Sequence, residues 1–140
     1  IAGVDSIGRF FLVSNVRGGS PDQNIHDRIK INIGSDEYTL ISDTLMGPFK
    51  SHQTLLCACR WEVSVYSGQG ALKLGKTITQ NMNAPIKCMF TTPDKVIRTA
   101  TLSRKEKENI KDCYKLSKRI HALADIKKEL ETLKAVMNKT

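Results

Sequence analysis

The chain has no apolar run near the roughly 20 residues that a membrane-spanning helix needs, so a soluble or peripheral protein is expected. It has only four cysteines, Cys57, Cys59, Cys88 and Cys113. They are too sparse for a disulfide scaffold and no signal-like apolar segment precedes them, which predicts free thiols in a reducing, intracellular compartment, cytoplasmic or nuclear. Cys57, Cys59 and Cys88 with His52 lack the closely spaced pairs on a turning backbone that structural zinc sites favour. They read as buried thiols, and no metal or cofactor is implied. Histidine is scarce too: His26, His52 and His121 are the only three, and none stands in a local motif with a Ser or Cys nucleophile. The chain therefore reads as a non-enzyme. His26 and Asp27 form a loop pair of no specificity, and His121 reads as a helix surface residue. Aromatics make up only 6% of the chain. Phe10, Phe11, Tyr38, Trp61 and Tyr66 are those that could stack bases, although Trp61 falls in phase with a buried face and is assigned to the core. Finally, neither Gly nor Pro occurs between Ser103 and Thr140, so nothing there interrupts a helix.

What is present suits one cooperative domain: 140 residues, 40% apolar and 26% charged. Lys and Arg number 22 against 14 Asp and Glu, a net charge of +8, of which +3 falls in residues 1–102 and +5 in residues 103–140. A basic field of this kind concentrates polyanions, which points to nucleic acid, anionic membrane surface or acidic protein as partners.

Period-two patterns dominate the first 102 residues. Arg9 to Val16 reads as a strand, followed by a loop from Gly18 to Asn24. Arg28 to Ile33 places Ile29, Ile31 and Ile33 on one face and Arg28, Lys30 and Asn32 on the other. A turn at Gly34-Ser35-Asp36 returns the chain through Glu37 to Ser42, and Asp43 to His52 reads as a connection. Thr54 to Tyr66 aligns Leu55, Cys57, Cys59, Trp61, Val63 and Val65 on a buried face. The opposite face, ending in Ser64 and Tyr66, looks mixed and partly wet. After a turn at Ser67 to Gly70, Ala71 to Thr79 is expected as a strand with Leu72, Leu74 and Ile78 in phase, making a central hairpin. Ile86 to Thr91 and Lys95 to Thr101 add two more strands. The prediction is an α+β fold: a compact antiparallel β sandwich or barrel of about seven strands over residues 1–102, then a helical region over residues 103–140.

At Ser103 the period changes to 3.6, and Ser103-Arg104-Lys105-Glu106 fits a capping box. Leu116, Leu123, Leu130 and Met137 recur every seven residues, flanked by Cys113, Ile120, Ile126 and Leu133. Drift in that pattern predicts a helix, either continuous or broken near Ala124-Asp125, that packs on the domain or on a second copy. Lys127 and Lys134, counted at core positions, weigh against a long two-stranded coiled coil.

Two stretches carry candidate chemistry. Gly70-Ala71-Leu72-Lys73-Leu74-Gly75-Lys76-Thr77 satisfies the phosphate-loop pattern, with Gly70, Gly75, Lys76 and Thr77 as nucleotide-binding residues. The expected hairpin leaves no helix whose first amides could hold phosphates. Along the terminal helix, Arg104, Lys107, Lys111, Lys115, Lys118 and Arg119 form a basic face suited to a phosphate backbone or a headgroup layer. The reading that follows is a non-enzymatic, self-associating protein that binds nucleic acid, RNA favoured, through these residues. Its layout is like that of viral coat, matrix and movement proteins. The alternatives are a peripheral protein on anionic lipid and a phosphate-loop NTPase.

Overall fold

The computed structural model describes residues 1–17, 26–42, 49–50 and 61–139. In chain order the elements are β1 (Ala2–Val4), β2 (Phe10–Arg17), β3 (Arg28–Ile33), β4 (Asp36–Ile41), β5 (Phe49–Lys50), β6 (Trp61–Tyr66), α1 (Gly68–Gln80), β7 (Ile86–Thr91), β8 (Val96–Thr101) and α2 (Arg104–Met137). The strands form two antiparallel four-stranded sheets, ordered β1-β2-β6-β5 and β4-β3-β7-β8. Each sheet has two edge strands, so among the described residues neither closes into a barrel. The α+β layout with a long C-terminal helix matches the sequence pattern. The short β1 and β5 were not anticipated, and β5 lies inside the stretch assigned to a connection. The expected loop at 18–24 and the phase of Leu55, Cys57, Cys59 and the Trp61 side chain fall outside the described residues.

β3 shows how alternation becomes packing. Ile29, Ile31 and Ile33 are buried while Arg28, Lys30 and Asn32 are half-buried. Ile33 pairs with Asp36, so Gly34 and Ser35 alone make the turn, and Gly34 adopts the positive φ of 60° that favours glycine.

Residues 71–79 are not a strand. They belong to α1, a 13-residue helix whose buried residues are Ala71, Leu74, Gly75 and Ile78. That set has i, i+3, i+4, i+7 spacing, the mark of a helix face. A period of two also fits the stretch because Leu72 is apolar yet only half-buried, while the buried Ala71 and Gly75 are too small to register as hydrophobic. The helix contains three glycines and the β-branched Thr77, Ile78 and Thr79, so its intrinsic propensity is low and packing must supply its stability. Gly75 permits that packing: a Cβ there would lie 2.8 Å from Phe10 Cζ. The predicted central hairpin is thereby replaced by a strand-to-helix unit, and β6 pairs instead with β2 and β5. Its Ser64 and Tyr66 face, expected to be partly wet, is buried.

The core joins Phe10, Leu12 and Tyr66 from the first sheet, the β3 isoleucines with Ile86 and Cys88 from the second, Ala71, Leu74 and Ile78 from α1, and Ile110 and Tyr114 from α2. Phe10 and Tyr114 meet edge to face at 6.3 Å. Ser103 caps α2 by accepting from the Glu106 N–H. The helix then runs 34 residues, continuous through Ala124 and Asp125, as befits a stretch free of Gly and Pro. Its first half is fastened to the body at several levels. Lys107, Ile110, Tyr114 and Ser117 are buried. Ala2 donates its N–H to Asn109 Oδ1 at 2.8 Å, and Ser117 donates its hydroxyl to the Gly8 carbonyl. From His121 to Lys139 every residue is exposed. The last 16 helical residues therefore project about 24 Å beyond the contacts that hold the first half. No described helix is long and apolar enough to cross a membrane.

Candidate functional site

The attached half of α2, residues 104–121, holds seven basic and three acidic residues. Packing sorts these charges. Lys107 points into the body: it is 8% exposed, and its ammonium donates to the Ala84 carbonyl at 2.6 Å and the Met82 carbonyl at 3.4 Å. It occupies the same helix stripe as Ile110 and Tyr114, so it secures the turn after α1 and takes no part in a solvent-facing row. Arg104 is exposed but engaged, donating to Glu108 at 3.2 Å and to Asn83 at 3.3 Å. Of the remaining five, Lys105 is exposed and stands outside the predicted basic face, and the other four belong to it. Lys115, Lys118 and Arg119 are exposed and Lys111 is half-buried, and among the described residues none of them forms an ion pair. Lys118 rests its ammonium over the Tyr114 ring at 5.6 Å, a cation–π contact that positions it without neutralising it. From Lys111 to Arg119 the row spans about 12 Å.

α1 adds to this helical layer. It packs on α2, with Gly75 beside Tyr114, and presents Lys73 and Lys76 exposed. On a strand these two would point to opposite faces. On a helix, three residues apart, they share one, which the period-two reading had hidden.

The phosphate-loop pattern meets half of its structural requirement. A strand followed by a helix is present at β6 and α1, but Gly70 to Thr77 lie inside the helix and not in a loop before it. Their amides beyond the first turn are used along the helix, and Lys76 sits about 12 Å from its N-terminal end. Thr77 returns its hydroxyl to the Lys73 carbonyl at 2.9 Å. Gly70 lies against Leu40, and Gly75 lies against Phe10 and Tyr114. The two glycines serve packing, and the four residues do not converge on a cradle.

A buried polar cluster escaped the sequence reading. Ser14 Oγ lies 2.7 Å from His26 Nε2 and 2.9 Å from the Tyr66 hydroxyl, and Ser64 donates to the His26 carbonyl at 2.9 Å. The His26 ring meets Phe90 edge-on at 5.6 Å. The cluster thus ties β2 and β6 of one sheet to β7 of the other. Desolvation pushes the Tyr66 phenol up to about 12. The sequence signal was Ser14, a polar residue at an inward position between Leu12 and Val16. Beside the cluster an apolar cleft of about 470 Å³ opens between the sheets, walled by residues such as Leu12, Ile29, Ile31 and Cys88. The Ser14 and Tyr66 hydroxyls are engaged with each other, and Asn15, Arg98 and Glu106 line the cleft beside its aliphatic wall.

Cys88 is buried, and desolvation first and Glu106 second push its thiol up to about 11. His52, Cys57 and Cys59 lie outside the described residues, and among those described no three His, Cys, Asp or Glu side chains form a metal site. His121 is exposed on α2 beside Gly8. No family model, curated protein or solved structure matches this chain.

Proposed function

We propose that the chain is a non-enzymatic nucleic-acid-binding assembly protein that engages the phosphate backbone through the attached half of α2. Lys111, Lys115, Lys118 and Arg119 are its phosphate contacts, and Lys73 and Lys76 of α1 extend the same basic layer. The observation that carries this reading is the row of four cations without acidic partners on a helix held in place by Ile110, Tyr114 and Ser117. A row of about 12 Å matches the length of three to four phosphates along one duplex strand. Lys107 is left out because its ammonium is already taken by backbone carbonyls.

The test is binding of single-stranded RNA across a salt series. Four phosphate contacts predict a slope of log K on log salt of about −3. Replacing Lys111, Lys115, Lys118 and Arg119 together by Ala should abolish most of that slope and lower the melting temperature by no more than a few degrees, from the lost Lys118–Tyr114 contact. Failure of wild type to bind RNA at low salt would overturn the reading. Flotation with acidic liposomes without RNA binding would reassign the same face to anionic lipid.

A further inference from the structure

We infer that the projecting half of α2 is an interface for a second copy of this chain, forming a parallel two-stranded coiled coil. This goes beyond the nucleic-acid reading and does not rest on it. Leu123, Ile126, Leu130 and Leu133 are between 50% and 65% exposed, and their spacing of three, four and three residues is that of alternating a and d positions, which Met137 continues as the next a. At about 100° per residue this seam centres on the side of the helix opposite Ile110, Tyr114 and Ser117. The body therefore lies away from the seam, and a second helix can approach it. The seam stands clear of the core cluster.

Charge identifies the occupant and its direction. With Leu123 and Leu130 at a, and Ile126 and Leu133 at d, Lys127 and Lys134 fall at e and Glu129 at g. The two lysines thus flank the seam and do not interrupt it. In a parallel pair, Glu129 of each copy faces Lys134 of the other, giving two symmetric ion pairs. In an antiparallel pair e faces e, which would set lysines against lysines. The narrow a/d seam with charged flanks suits two strands, and it does so against the shift towards larger bundles that Leu123 at a with Ile126 at d brings in one heptad. An acidic membrane fits less well, because residues 122–140 carry four basic and three acidic side chains and so offer little attraction to anionic lipid.

The experiment is sedimentation velocity of the full chain, freed of nucleic acid, over a concentration series. The expected mass rises from 15.6 kDa towards twice that value. Leu123→Asn with Leu130→Asn should hold the protein at the monomer mass with unchanged melting of the body, since neither residue joins the core. Lys134→Glu should weaken association at least tenfold by setting Glu against Glu129, and adding Glu129→Lys should restore it. A wild type that stays monomeric throughout, or a Leu123/Leu130 variant that associates as before, would overturn the interface. A Lys134→Glu variant that associates more tightly would overturn the parallel arrangement, and a limiting mass of three or four chains would overturn the two-stranded one. Because no nucleic acid is present, these outcomes leave the phosphate-binding reading untouched.

Discussion

Replacing Gly75 by Ala sets two effects of opposite sign against each other, and the structure says which should win. Ala in a helix interior is favoured over Gly by about 1 kcal/mol, so on propensity alone the change stabilises α1. The added Cβ, however, would lie 2.8 Å from Phe10 Cζ, 2.9 Å from Phe10 Cε1 and 3.5 Å from Tyr114 Cδ2. Phe10 is 4% exposed and held edge-on by Tyr114, so its ring cannot swing aside cheaply. Overpacking of this kind costs about 1–3 kcal/mol, and disturbing the aromatic pair adds about 0.5–1.5 kcal/mol. The expected net loss is about 1–2 kcal/mol, a fall of about 5 °C in melting temperature for a chain of this size. Urea denaturation of Gly75→Ala in wild type and in a Phe10→Leu background measures the coupling. With the ring gone, the same change should become stabilising by up to about 1 kcal/mol. If Gly75→Ala stabilises the wild type, the close α1–β2 approach described above is wrong.

Further predictions follow from the buried groups. Lys107→Met should cost about 1–3 kcal/mol by leaving the Ala84 and Met82 carbonyls without their charged donor, measured by urea denaturation, while RNA affinity stays near wild type. Lys115→Met should do the reverse, keeping stability and lowering the salt slope by about 0.7–0.9. Ser14→Ala removes the hydroxyl shared by His26 and Tyr66 and should cost about 1–3 kcal/mol. The raised Tyr66 and Cys88 values mean that the unfolded chain releases these protons first. Stability should be unaffected by them below pH 9, then fall as pH passes from 9 to about 11 for Cys88 and from 10 to about 12 for Tyr66. The loss should approach about 3 kcal/mol for each group, and Cys88→Ala should remove the lower part of that decline. Magnesium-ATP should leave the melting temperature unchanged, and a shift lost in Lys76→Ala would reinstate a nucleotide site.

Several elements were legible because their signal is local. The isoleucine alternation of β3 needs only the two-residue period of a strand, and the Ser103 cap followed by 37 residues without Gly or Pro needs only helix chemistry. α1 resembles a strand in sequence because two of the four residues on its core face are the small Ala71 and Gly75. Small residues do not register as hydrophobic in a pattern, and their value appears only when Phe10 and Tyr114 are placed against them. The basic face was only partly legible, since a repeat of lysines does not say which of them faces the body.

By itself, then, the sequence determined the alternation of strands such as β3, the start of the terminal helix and the concentration of positive charge upon it, all consequences of neighbours along the chain. Tertiary structure alone decided that Lys107 serves backbone carbonyls and not phosphate, that Gly70 to Thr77 form helix and not cradle, and that His26 meets Ser14 inside the core. Those outcomes depend on contacts between residues as far apart as Lys107 and Ala84, or Gly75 and Phe10, which no local pattern encodes. The same contacts end near His121, and that is why the apolar seam beyond it is left facing outward.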